Sequence, residues 1–160
     1  MIASALRLAF AEYKPLYTRD GYAATTPDAD HIRVRINEGP VWVALYDGRI
    51  VGTASVVPKS AGFYIRGMAV VPVARGLGIG FLLLDEIQCF AAADGCARLF
   101  LSTTPFLDRA IRLYEGFGFE RTGEGPHELS GTRLFTMQKI VPVDTPNPGP
   151  ESSAMERKVL

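Results

Sequence analysis

ARGLGIGFLLLDE, residues 74–86, sets three alternate glycines, Gly76, Gly78 and Gly80, directly in front of an apolar run. Glycine costs order at the start of a helix, so the pattern asks for a compensating role. The first turn of a helix exposes unpaired N–H groups at the positive end of its dipole, and glycines let an anion approach that backbone closely. The stretch follows a strand ending MAVVP (68–72) and precedes a long amphipathic segment. In that setting the N–H groups of residues 76–80 can converge on a pyrophosphate, with Arg75 framing the turn. Two other phosphate loops fail on residues that their chemistry requires. A dinucleotide loop needs a third glycine where Phe81 stands, and an acid where the next strand ends in Ser102 and Thr103. A Walker loop needs Gly-Lys-Ser/Thr, and Gly80-Phe81-Leu82 supplies none of it.

Outward from this stretch, the periodicity predicts a helix over 2–14, on Ile2, Leu6, Phe10 and Tyr13, then a loop KPLYTRDGYAATTP (14–27). A second helix is expected over 27–37, capped by Thr26 or Asp28 and ended by Gly39-Pro40. VWVALY and RIVGTASVV read as strands joined by an Asp47-Gly48 hairpin turn, and GFYIRGMAVV as a third strand. A long helix over 78–94, a strand ARLFLST, a helix over 107–116, a strand beginning near FGFERTG and a last strand TRLFTMQKI follow. The order of elements predicts a mixed sheet flanked by helices, of the α/β or α+β class, over residues 1–141. From Pro142 the chain is rich in proline and serine, which predicts a disordered, solvated tail over 142–160.

Composition narrows the function. The chain has 160 residues, 48% hydrophobic and 21% charged, with 17 Lys plus Arg against 17 Asp plus Glu. A net charge of zero and the lack of a basic stripe argue against nucleic-acid and membrane partners. No segment reaches the ~20 apolar residues that span a bilayer. Cys89 and Cys96 read as reduced thiols of a cytoplasmic protein, and no Cys/His spacing suggests a metal.

The Arg75-Gly76-Leu77-Gly78-Ile79-Gly80 pattern, the strand before it and the segment AIRLYEGFGFERTG (110–123) together resemble the GNAT superfamily of acyl-CoA-dependent N-acetyltransferases. The resemblance covers about residues 40–140. It implies a mixed, mostly antiparallel twisted sheet flanked by about four helices, with acetyl-CoA as co-substrate and no metal. It also implies that Arg75, Gly76, Gly78, Ile79 and Gly80 hold the coenzyme pyrophosphate, while Met68 and Val70 offer backbone contacts to the pantetheine arm. Tyr114 falls where the family carries a tyrosine near the thioester sulfur, and so becomes the expected general acid. Two departures stand out. The chain starts almost on its first helix, so the family's usual first strand is expected to be missing. Leu107 stands where the helix bearing the tyrosine often begins with Asn.

The reaction implied is aminolysis of a thioester, in which a neutral amine attacks, the carbonyl oxygen is stabilised and the departing thiolate is assisted by a proton. The acceptor is expected to be a primary amine of a small molecule or peptide, with a homodimer left open. A base is not singled out: Glu12, Asp20, Glu38, His127 and Glu128 lie in segments that could border the acceptor, and His31 sits on a short helix. Arg109 and Arg112 could meet the coenzyme's 3′-phosphate, and Tyr17 and Tyr22 could line the acceptor site. The alternative is a non-catalytic acyl-CoA-binding sensor or partner module of the same fold.

Overall fold

The structure, a computed structural model, describes residues 1–142. The expected tail lies almost wholly outside these residues. Helix α1 (Ile2–Phe10) turns Ala3, Ala5, Leu6 and Ala9 inward. Its small residues let it lie close to the sheet, Ala5 beside Val51, Val71 and Ala74, and Leu6 and Ala9 beside Ala69. It stops short of the expected residue 14, and Ala11–Leu16 form a 3₁₀ helix instead. Pro15 lies in that segment, where it removes a backbone donor and disfavours α-helical geometry at Lys14.

The expected loop that follows contains helix α2 (Arg19–Thr25). Its N-cap is Thr18, whose Oγ1 accepts from Gly21 N at 3.1 Å and donates to Ser130 O at 2.6 Å. Thr18 N also donates to Thr132 Oγ1 at 3.1 Å. The helix is thus fixed by residues more than a hundred positions away, which local periodicity does not register. Helix α3 (Ala29–Ile36) is capped by Asp28, which accepts from His31 N at 3.0 Å.

Strands β1 (Val41–Tyr46) and β2 (Arg49–Lys59) form the hairpin expected at Asp47-Gly48, with both turn residues at positive φ. Strand β3 (Gly62–Val70) returns antiparallel to β2. A short 3₁₀ turn, Pro72–Ala74, leads to helix α4 (Ile79–Ala93), then β4 (Arg98–Thr103), α5 (Asp108–Phe117), β5 (Glu120–Arg121), β6 (His127–Leu129) and β7 (Thr132–Ile140). The sheet order is β1-β2-β3-β4-β7-β5, with β6 paired to β7. Among the described residues every pairing is antiparallel except β3 with β4. No strand precedes α1 among them, and β1 is the outer strand on its side.

Five α-helices among the described residues cover this sheet, one more than the sequence suggests. The main core joins Leu83, Leu84, Ile87 and Ala91 of α4 to Val56, Ile65, Leu99, Leu101 and Met137 of the sheet. Strand β2 is buried without a break from Val51 to Val57. Because strand side chains alternate between faces, that run means that both faces are covered there.

Candidate active site

The site begins where two parallel strands stop pairing. Strand β3 pairs with β4 only through Phe63–Leu99, Tyr64–Phe100 and Ile65–Leu101, although β3 runs on to Val70 and β4 to Thr103. Beyond Ile65 the register of β3 against β2 also shifts, and Gly67 takes a φ of 60°. The strands part, and a cleft of about 650 Å³ opens between them. Met68, Val70, Arg75, Gly76, Gly78, Ile79, Gly80 and Tyr114 all line it. Residues singled out from separate stretches of the chain therefore meet in one place.

The three glycines that open this cleft toward α4 have different tasks. Gly76 and Gly78 take φ values of 79° and 76°, a left-handed backbone that L side chains rarely adopt. A Cβ at either would meet no atom within 4 Å, so both positions, which line the cleft, border open space. Gly78 caps α4 without a side-chain hydrogen bond. The helical ladder starts with Leu82 N donating to Gly78 O at 3.0 Å, and the N–H groups of residues 76–81 find no carbonyl partner outside α4 among the described residues. Gly80 serves packing: a Cβ there would lie 2.7 Å from Leu113 Cδ2, so a side chain at this position would displace Leu113 where α5 meets the first turn of α4.

Arg75 turns its guanidinium away from this cradle. Its Nη2 donates to Ala9 O at 2.9 Å and its Nη1 pairs with Glu12. The side chain braces the loop against α1, leaving the loop's backbone to face a ligand. Tyr114 comes from α5 on the other wall, buried with its ring against Phe119. Burial pushes its phenol pKa up, and the nearby Tyr17 and Tyr64 add to the rise. The hydroxyl therefore stays protonated and able to donate. Leu107 caps α5 without a polar side chain and also lines the cleft.

The candidate bases do not reach this space. Glu12, Asp20, His31, Glu38, His127 and Glu128 are all missing from its lining. Glu12 and Glu38 instead pair with arginines at its rim, and His31 faces Asp28 at 2.7 Å on an exposed surface. Arg109 lines the cleft, whereas Arg112 does not. Tyr17 lines it as well, edge-on to Phe106 at 4.9 Å and Phe10 at 6.4 Å, while Tyr22 packs behind Tyr17. Burial raises the Tyr17 phenol pKa, partly offset by Thr104 and Thr25. Thr104 Oγ1 is itself buried and makes no bond of ordinary hydrogen-bond geometry.

Two further residues of the lining escape sequence reasoning, Arg35 of α3 and Arg66 of β3. The signal available for Arg66 was a charge inside the apolar run GFYIRGMAVV. Nothing in the short helix around Arg35 distinguished it. Among the described residues no group of three or more His, Cys, Asp or Glu is placed to hold a metal, and no helix is long and apolar enough to cross a membrane. Both cysteines are free.

A mixed sheet with parted parallel strands and an N–H cradle at a helix mouth is the arrangement that the resemblance implied. The profile of the acetyltransferase (GNAT) family matches residues 3–119. The chain is 34% identical over 125 residues to the uncharacterized N-acetyltransferase YjgM of Escherichia coli (strain K12), a match covering 74% of each protein. It is 36% identical over 96 residues to the IAA acetyltransferase of Azospirillum brasilense, covering 58% of this chain and 63% of that one. In three dimensions it is similar to an acetyltransferase from Streptococcus agalactiae 2603, with a TM-score of 0.71 over 87% of this chain and 88% of that one. At 19% identity that likeness speaks for the fold. The chain belongs to the GNAT acetyltransferase family, and is an acetyl-CoA-dependent acyltransferase that acts on amines. The structure itself fits acetyl-CoA, because unpaired N–H groups with open glycine faces border the parted strands.

Proposed function

We propose that the chain moves the acetyl group of acetyl-CoA to a primary amine of a small molecule or peptide by direct attack in a ternary complex, with Tyr114 assisting the departing sulfur. The observation that carries this reading is the parting of β3 and β4 beside the unpaired N–H groups of residues 76–81. Acetyl-CoA supplies the acyl group as a thioester, activated toward amines.

The chain's own residues do the rest. Backbone N–H groups of residues 76–80 hold the pyrophosphate at the positive end of α4, with Arg75 fixing the loop from behind. Met68 and Val70 offer backbone groups of β3 to the pantetheine arm, as an added strand would use them. An N–H near Val70 polarises the thioester carbonyl. Tyr114 donates a hydrogen bond from the opposite wall. Its raised pKa lies well above the ~8.5 of a thiol, so complete proton transfer to sulfur is uphill and hydrogen-bond donation is the stronger part of its action. Among the described residues no carboxylate, histidine or lysine lines the cleft, so the proton lost by the incoming ammonium goes to solvent.

Release of coenzyme A, followed across polyamines, aminoglycosides, amino acids and peptides, tests the reading. Amine-dependent release with a singly acetylated product supports it. Acetyl-CoA binding without amine-dependent release from any member of the panel overturns it.

A further inference from the structure

The charge of the cleft points to its acceptor. Its ionisable lining, tyrosines aside, consists of Arg35, Arg66, Arg75 and Arg109, with no Asp, Glu, His or Lys among the described residues. Arg75 is committed to Ala9 O and Glu12. Arg109 stands on the first turn of α5, whereas Arg35 and Arg66 approach from α3 and β3. Arg66 lies one residue past the last β3–β4 pair and two before Met68. It therefore stands where the strands begin to part.

Both guanidinium groups have protein partners, but those partners do not use all of the Arg66 donors. Arg66 gives Nη2 to Glu38, but its Nε is buried and has no partner among the described residues. Arg35 gives Nη2 to Ala24 O at 2.9 Å. Burial pushes its pKa down, and the Arg66 charge adds to that. Two cations share one wall with a single carboxylate, Glu38, which stays at the rim. A buried donor without an acceptor is costly, and a planar guanidinium suits a carboxylate. The aromatic part of the lining, Phe10, Tyr13, Tyr17 and Tyr64, offers a cationic amine no formal counter-charge.

Resting on the acyl-transfer reading of this cleft, we infer that the acceptor is an amino carboxylate, a small amine whose carboxylate sits a few bonds from the nitrogen and is received by Arg66 and Arg35. Polyamines and aminoglycosides, which bring cations and no carboxylate, are poor acceptors. The amine keeps its place beside the parted strands because the carboxylate is anchored at their junction.

The direct test compares α-amino acids with the same compounds as α-amides, and needs no variant. Acetylation kcat/KM, referred for each substrate to its unprotonated amine, is expected to be about 10–100-fold higher for the acids, the worth of a charge-assisted hydrogen bond. In Arg66→Gln, and separately in Arg35→Gln, the acid-to-amide ratio is expected to fall toward one. The second variant guards against misfolding of the first, and unchanged melting temperatures qualify either. Calorimetric binding of the acids against the amides to the acetyl-CoA-loaded protein is read alongside turnover. Acids that bind better without being acetylated would leave the carboxylate site at Arg66 and Arg35 standing and sink the acyl-transfer reading. Amides or polyamines acetylated as well as the acids would do the reverse. An acid preference that survives in both folded variants would likewise overturn the assignment to these arginines.

Discussion

Tyr114→Phe removes one hydroxyl from the cleft and leaves the rest of the wall in place. Tyr114 is 6% exposed, and its ring packs on Phe119 with centroids 5.9 Å apart, contacts that phenylalanine keeps. No hydrogen bond to a protein group contributes to the perturbed phenol. The stability change should therefore stay within about 0.5 kcal/mol, as for a substitution that neither opens a cavity nor strands a polar group. Catalysis should suffer more. A hydrogen bond to a charged acceptor contributes about 1.5–3 kcal/mol, and the sulfur carries only part of its final charge in the transition state. That corresponds to roughly 10–100-fold in kcat, or about 1.4–2.7 kcal/mol of barrier, with KM for acetyl-CoA nearly unchanged. Steady-state release of coenzyme A at saturating acceptor, with single-turnover measurements to isolate the chemical step, gives both numbers. A wild-type single-turnover rate in the folded variant would refute a role for the hydroxyl in sulfur departure.

Gly78→Ala places a methyl group on a residue at φ 76° where it meets no protein atom, so the expected cost is about 1–2 kcal/mol of backbone strain together with a marked loss of acetyl-CoA affinity by calorimetry. Gly80→Val drives its side chain into Leu113 and should destabilise by about 1–3 kcal/mol through overpacking, read as a lowered denaturant midpoint. Because no carboxylate or histidine among the described residues lines the cleft, kcat/KM should rise with pH along the deprotonation of each acceptor's own amine, and the limb should move when an acceptor of different amine pKa is used. A limb that stays fixed across acceptors would reveal an enzyme base. Burial raises the phenol pKa of Tyr114, so above about pH 10 the unfolded chain sheds this proton while the folded chain keeps it. The Tyr114 contribution to stability is complete below that pH and declines as pH rises further, which equilibrium unfolding at stepped alkaline pH would show.

Much of this site was legible because its parts are local in sequence. The glycine loop carries its geometry in its residue types, since Gly76 and Gly78 adopt a backbone that other residues resist. The Asp47-Gly48 turn was readable for the same reason. Tyr114 emerged from its place in LYEGFGF, a resemblance rather than a local rule. Helix α2 was not legible, because its cap is completed by Ser130 and Thr132 on the far side of the chain. The acceptor wall failed for a related reason. Arg35 and Arg66 are separated by 31 positions and gain meaning only where α3 and β3 face the same cleft. The carboxylates suggested as bases were plausible by segment, but fixing Glu12 and Glu38 against arginines required the fold.

The most direct measurement is residue-resolved amide hydrogen exchange with and without acetyl-CoA. Without ligand, the N–H groups of residues 76–81 lack carbonyl partners outside α4 among the described residues and should exchange rapidly. Addition of acetyl-CoA should slow exchange there and along residues 66–70 of β3, where backbone groups face the gap left by β4. Protection confined to other parts of the sheet, or none at all under conditions where acetyl-CoA is bound, would contradict the placement of the coenzyme between the parted strands.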